Sequence, residues 1–142
     1  MAEAEFYSLT VSFSTFFPQY WERWKFLLER GERRWTGIDP FKVWPNDQPL
    51  KVAPPLAVTH KGLDVSASDR LSRQLNESVV VFVCGAVRRP FVETMKLNNF
   101  LENSWHHSDY AEGFVSIVPG QLLMAWNHEG GACFWDRPRR AK

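Results

Sequence analysis

The clearest hydrophobic pattern lies in the last third of the chain, residues 113–136. Three short apolar runs there are separated by Pro119-Gly120 and by Gly130-Gly131. Pro119-Gly120 suits a tight turn, because Pro presets one backbone dihedral and Gly accepts a positive one. Gly130-Gly131 permits the second reversal, because Gly lacks the side chain that disfavours a positive dihedral. The pattern therefore predicts a three-stranded antiparallel meander at the C-terminal end of the fold.

Two other stretches have the character of strands. Residues 79–83 are consecutive β-branched or aromatic residues followed by Cys84 and Gly85, which predicts a central strand buried on both faces. Residues 6–13 alternate between polar and apolar side chains, which predicts a half-buried strand. The apolar side of that alternation consists of Tyr7, Leu9, Val11 and Phe13.

Helical spacing predicts three further elements, over residues 17–30, 66–76 and 91–105. Ser14 or Thr15 would cap the first helix, and Pro18 suits its first turn. Its apolar face, interpreted as core, consists of Phe17, Trp21, Trp24 and Leu28. The third helix has an apolar stripe of Leu97, Phe100, Leu101 and Trp105.

Residues 35–59 combine five prolines with large apolar side chains, so they fit neither a helix nor a central strand. A flexible linker would not carry such side chains, because each gains about 1.5–3 kcal/mol from burial. We expect an extended strap packed on the body of the domain. Short edge strands are predicted within it near residues 41–44 and 56–60.

These elements predict an α+β fold with a mixed or mostly antiparallel sheet of four to six strands. Helices would pack on one face of the sheet, and the meander would form its C-terminal part. We expect one domain over residues 1–136, with the strap packed on it, followed by a basic tail over residues 137–142.

Composition excludes several classes of protein. The 17 basic and 16 acidic residues leave a formal charge of +1, which disfavours nucleic-acid binding. No apolar run reaches the roughly 20 residues of a membrane span. Cys84 and Cys133 are too few for a disulfide framework, so we expect buried thiols, a cytoplasmic location and no cofactor.

One group of residue types could ligate a metal or support hydrolysis. Imidazole, carboxylate and thiolate are zinc ligands, and a site needs three or four of them together. The candidates are His107, Asp109, His128 and Cys133. Their spacing matches no zinc motif, so a metal- or cysteine-dependent hydrolase is kept only as a third hypothesis.

The leading hypothesis is a non-catalytic protein that recognises another protein, as an inhibitor, immunity-type or accessory factor does. Seven Trp and eleven Phe exceed what folding needs, and Trp and Arg are enriched at interface hot spots. The predicted contact residues are Trp35, Phe41 and Trp44, with Arg33 and Arg34 at their rim.

Two alternatives accompany that hypothesis. A small apolar or cationic ligand could bind between sheet and helices in a pocket lined by Trp21, Trp105 and Trp126. A homodimer could also form through an apolar edge left by the meander near Trp135.

Overall fold

The computed structural model describes residues 2–30, 56–57, 71–85, 91–104, 110, 112–126 and 131–136. Its helices are α1 (Glu3–Phe16), α2 (Pro18–Arg30) and the short α3 (Leu97–Asn99), which continues as a π-helical turn, Phe100–Ser104. Its strands are β1 (Leu56–Ala57), β2 (Ser78–Gly85), β3 (Phe91–Lys96), β4 (Glu112–Val118), β5 (Leu122–Trp126) and β6 (Gly131–Asp136).

The strands form one antiparallel sheet in the order β1-β6-β5-β4-β2-β3. The predicted α+β class and the C-terminal meander β4-β5-β6 are therefore confirmed. Strand β2 is also confirmed, because it lies between β3 and β4 and all its residues from Val79 to Cys84 are buried.

The predicted turn at Pro119-Gly120 joins β4 to β5. The N–H of Gln121 donates to the carbonyl of Val118 at 2.8 Å, and Gly120 has a φ of 73°. A positive φ at the third residue of a turn that carries Pro at the second is the type II arrangement. The second predicted reversal, at Gly130, lies outside the described residues.

Strand β1 confirms the expected edge strand at residues 56 and 57, where it pairs with Ala132 and Gly131 of β6. The two residues before it in sequence are Pro54 and Pro55. Since proline has no N–H to donate, neither could extend the ladder along β6 as a full partner. The expected strand at residues 41–44 lies outside the described residues.

Both faces of the sheet are packed. The α1–α2 face, the side of the sheet toward the two long helices, contains Phe82, Phe114 and Trp135 together with Phe13 and Trp24 of those helices. The far face, the opposite side, packs against α3 and the π-helical turn. Its buried side chains are Leu71, Val79, Val81, Val83, Leu97, Phe100, Leu101, Val115, Ile117, Leu122, Met124, Trp126 and Phe134.

The strand predicted over residues 6–13 is wrong, because these residues lie in helix α1. Ser8 and Ser12, on the polar side of the alternation, are buried, whereas Tyr7, on its apolar side, is 67% exposed. The buried positions of α1 are Ser8, Leu9, Ser12, Phe13 and Phe16, which recur at helical spacing. The first turn also carries Glu5, whose Oε1 accepts the N–H of Ala2 at 3.0 Å.

A buried network of hydroxyls holds α1 against β4. Ser116 Oγ lies 2.6 Å from Ser12 Oγ and 2.9 Å from Ser8 Oγ. Ser12 Oγ also accepts the N–H of Gly120 at 3.2 Å. Ser8 and Ser12 can therefore be buried, because each hydroxyl has a hydrogen-bond partner that offsets its desolvation.

Helix α2 begins close to its predicted start, directly after a break at Phe17. The φ of Phe17 is −136°, and the next residue, Pro18, has no N–H to continue the α1 ladder. Ser14 and Thr15 do not cap α2 as expected. They lie in the last turn of α1, where Thr15 Oγ1 donates to the carbonyl of Val11 at 2.8 Å.

The helix predicted over residues 91–105 is wrong in its first part. Phe91–Lys96 form strand β3, paired with β2 from Val83↔Phe91 to Ser78↔Lys96. The pairing with β2 prevails over the weak helical spacing of these residues, since strand preference depends on tertiary context. The predicted stripe is confirmed at Leu97, Phe100 and Leu101, which are buried, and Trp105 lies outside the described residues.

The serine network predicts an unequal response of two serines to alanine substitution. Ser116→Ala leaves the buried hydroxyls of Ser8 and Ser12 without their shared partner. It should therefore lower the free energy of unfolding by about 1–3 kcal/mol, measured by urea denaturation. The control Ser14→Ala, on the exposed side of α1, should change it by no more than about 0.5 kcal/mol. Equal losses for the two variants would contradict this account of α1.

Candidate functional site

Most residues predicted to contact a partner or a metal lie outside the described residues. This holds for Arg33, Arg34, Trp35, Phe41 and Trp44, and equally for His107, Asp109 and His128. Cys133 lies in β6, with its backbone paired to Ala125. Within the described part of the chain, no group of three His, Cys, Asp or Glu residues could hold a metal ion.

The structure does not bring together Trp21 and Trp126, two of the three residues of the predicted pocket. Trp21 belongs to the α1–α2 face, where its ring lies 5.2 Å from that of Phe13. Trp126 belongs to the far face, 4.9 Å from the ring of Phe100. The sheet separates the two indoles, so they cannot line one cavity. Trp105 lies outside the described residues.

The two indole N–H groups differ in their hydrogen bonding. Trp126 Nε1 donates to the carbonyl of Tyr110 at 2.8 Å, which ties this residue to the end of β5. Trp21 Nε1 is buried and has no hydrogen-bond partner, and the same is true of Thr10 Oγ1 in α1. A buried donor without an acceptor lowers stability, because it has lost its hydrogen bonds to water.

A different candidate site lies at β3, the last strand of the described sheet. The N–H of Leu97 donates to the carbonyl of Glu77 at 3.1 Å, one position beyond the pair Ser78↔Lys96. In an antiparallel ladder, hydrogen-bonded and non-hydrogen-bonded pairs alternate. Glu77 and Leu97 form a hydrogen-bonded pair, so every second residue of β3 counted back from Leu97 is hydrogen-bonded to β2 as well. The backbone groups of Met95, Glu93 and Phe91 therefore point toward β2.

The N–H and C=O groups of Val92, Thr94 and Lys96 consequently point away from the sheet. No strand in the described ranges pairs with this outer side of β3. Thr94 and Lys96 are exposed and Val92 is half-buried. The three residues span about 14 Å of strand at the usual rise per residue. This outer row of backbone groups is called the β3 edge below.

A carboxylate flanks the β3 edge on the far face. Glu93 is half-buried, and its Oε2 accepts the hydroxyl of Tyr110 at 2.5 Å. The ring of Tyr110 meets that of Phe91 at 5.5 Å and 74°, an edge-to-face contact. The carboxylate is thereby held in place beside two aromatic rings.

A second carboxylate flanks the same strand on the α1–α2 face. Glu5 of α1 accepts the hydroxyl of Thr94 through its Oε2 at 2.6 Å. Among the described residues neither Glu5 nor Glu93 forms an ion pair, in contrast to Glu22, which lies 3.2 Å from Lys25 Nζ. Within the described ranges, strand β3 therefore has on each side one carboxylate that forms no ion pair.

This site was not predicted from the sequence, because residues 91–96 were expected to form part of a helix. One local signal could have identified the strand. Phe91, Val92 and Thr94 have high strand preference, and Pro90 before them suits the first residue of a strand. No residue type marks an outermost strand, so the sheet order was needed to find the edge itself.

No protein-family model, curated protein or solved structure matches this chain. Among the described helices, none is long and apolar enough to cross a membrane.

The two indoles predict different outcomes for the same substitution. Trp126→Phe leaves the Tyr110 carbonyl without its donor, whereas Trp21→Phe removes a donor that has no acceptor. Both lose similar apolar volume, so thermal and urea unfolding should show a loss about 1–3 kcal/mol larger for Trp126→Phe. A loss for Trp21→Phe that equals or exceeds that for Trp126→Phe would contradict the hydrogen bonding described above.

Proposed function

We propose that this protein is a small non-catalytic domain that recognises another protein by adding a strand of it to the β3 edge. The observation that carries the proposal is the row of outward backbone groups at Val92, Thr94 and Lys96. Strand addition is a common mode of peptide recognition. Main-chain hydrogen bonds supply its affinity, and the neighbouring side chains supply its specificity.

The two ends of the described sheet support the choice of β3 over β1. Strand β1 has two residues and follows two prolines, which limits pairing there. Strand β3 has six residues, contains no proline and is paired with β2 along its full length. A preformed strand of this length reduces the entropy lost when a partner segment pairs with it.

The non-catalytic part of the proposal is supported by the placement of the polar groups. The carboxylate–hydroxyl pairs Glu93–Tyr110 and Glu5–Thr94 lie on opposite faces of the sheet, so they cannot act on one reacting group. Ser8, Ser12 and Ser116 are buried and bond to one another.

Two further parts of the proposal depend on the sequence. A cytoplasmic setting is favoured by the low number of cysteines, of which Cys84 is buried. The predicted contact residues of the strap, Trp35, Phe41 and Trp44 with Arg33 and Arg34, stay a prediction. They would add side-chain contacts to a partner that is held at the β3 edge.

Thr94→Pro tests the proposal, because it removes an outward N–H without breaking a hydrogen bond to β2. Peptides selected on the full-length protein from a displayed random library should bind this variant at least about tenfold more weakly. Affinities are measured by fluorescence anisotropy. The matched control Thr94→Val keeps the N–H and loses only the hydroxyl that bonds to Glu5, so it should weaken binding much less than Thr94→Pro does.

Circular dichroism must show that both variants keep the fold. Selected peptides that bind the wild type, Thr94→Val and Thr94→Pro equally would overturn recognition at the β3 edge. A library that yields no binding peptide would overturn it as well.

A further inference from the structure

The electrostatic surroundings of the β3 edge indicate the chemistry of its partner. Glu93 presents a carboxylate on the far face, and Glu5 presents one on the α1–α2 face through its bond to Thr94. Tyr110 donates to Oε2 of Glu93, and no described residue donates to Oε1 of this carboxylate. Both acidic groups therefore retain acceptor capacity for a cationic donor.

The register of an added strand fixes where these carboxylates act. Relative to an incoming strand, Glu93 occupies a non-hydrogen-bonded position, at which opposite side chains approach most closely. The residue opposite Glu93 would lie on the far face, beside Glu93 and the ring of Tyr110. The next residue, opposite Thr94, would lie on the α1–α2 face near Glu5, because successive side chains of a strand alternate.

We infer that the β3 edge binds an extended protein segment with two adjacent basic residues between apolar residues; this inference rests on the proposed function. One basic side chain would meet Glu93 and the other Glu5. The flanking residues would lie opposite Val92 and Met95, which are half-buried and pack on opposite faces. The pattern apolar-basic-basic-apolar is the same in either strand direction, so it holds for parallel and antiparallel addition.

Arginine is favoured over lysine opposite Glu93. Its planar guanidinium can bond to a carboxylate oxygen while stacking on an aromatic ring, and Tyr110 and Phe91 supply rings at this place. The two carboxylates also disfavour acidic segments, because an acidic residue of the added strand would face Glu93 or Glu5 and be repelled.

The test uses a fluorescein-labelled peptide with the core Val-Arg-Arg-Val and the full-length protein, followed by fluorescence anisotropy. Its matched control has the core Val-Arg-Val-Arg, which has the same composition but places both basic side chains on one face. The first peptide should bind about fivefold more tightly than the control. Its affinity should fall as sodium chloride rises from about 0.05 to 0.5 M, because salt screens the carboxylates.

Three isosteric variants locate the contacts. Glu93→Gln and Glu5→Gln should each weaken binding of the Val-Arg-Arg-Val peptide about fivefold. Glu29→Gln removes one negative charge from the exposed side of α2 and should leave the affinity unchanged. Equal binding by Glu93→Gln, Glu5→Gln and the wild type would overturn the inference.

Two outcomes separate this inference from the proposed function. If library-selected peptides lose binding to Thr94→Pro but carry no adjacent basic pair, the charge inference fails and strand addition stands. The second outcome concerns the oligomeric state of the protein alone, measured by sedimentation. A dimer that Thr94→Pro abolishes would make a second copy the occupant of the edge and would overturn recognition of a basic partner.

Discussion

The fold depends on the pairing of β2, β4 and β5 in the interior of one antiparallel sheet. These strands have neighbours on both sides, and their side chains alternate between two packed faces. Each face of the sheet therefore needs other elements packed on it to bury its apolar side chains. Helices α1 and α2 cover one face, and α3 with its π-helical turn contributes to covering the other. The same pairing satisfies most backbone groups of the inner strands, and in the described part of the chain no further strand pairs with the outer sides of β1 and β3.

Elements whose structure is determined by residues close together in the chain could be predicted from the sequence. The meander could be predicted because Pro119 and Gly120 specify the turn between two apolar runs. Strand β2 could be predicted because its side chains are apolar on both faces. In each case the residues that decide the structure are neighbours in the chain.

The errors occurred where a distant residue decides the structure. Ser8 and Ser12 are polar, yet they are buried because Ser116 bonds to them from more than 100 positions away in the chain. Residues 91–96 form a strand because β2 pairs with them. The candidate site could not be predicted either, since every residue but proline has an N–H, and only the order of strands reveals which N–H groups face outward.

The account of function combines two physical features of one strand. In the proposed recognition, the outward backbone groups of β3 would hydrogen-bond to an extended segment and so supply affinity without selecting a sequence. Glu93 and Glu5 lie on the two sides of the strand, and their charge would supply the selection. Trp21 and Trp24, which the helical spacing assigned to the core, are buried in the α1–α2 face, whereas the predicted contact residues Trp35, Phe41 and Trp44 lie outside the described residues.

Residue-resolved amide hydrogen exchange by NMR, on the full-length protein without any partner, tests the central claim most directly. An open β3 edge predicts alternation along the strand: fast exchange at Val92, Thr94 and Lys96, and slow exchange at Phe91, Glu93 and Met95. Uniformly slow exchange at these six amides would show that another part of the chain or a second copy covers the edge. That result would contradict the proposed recognition surface.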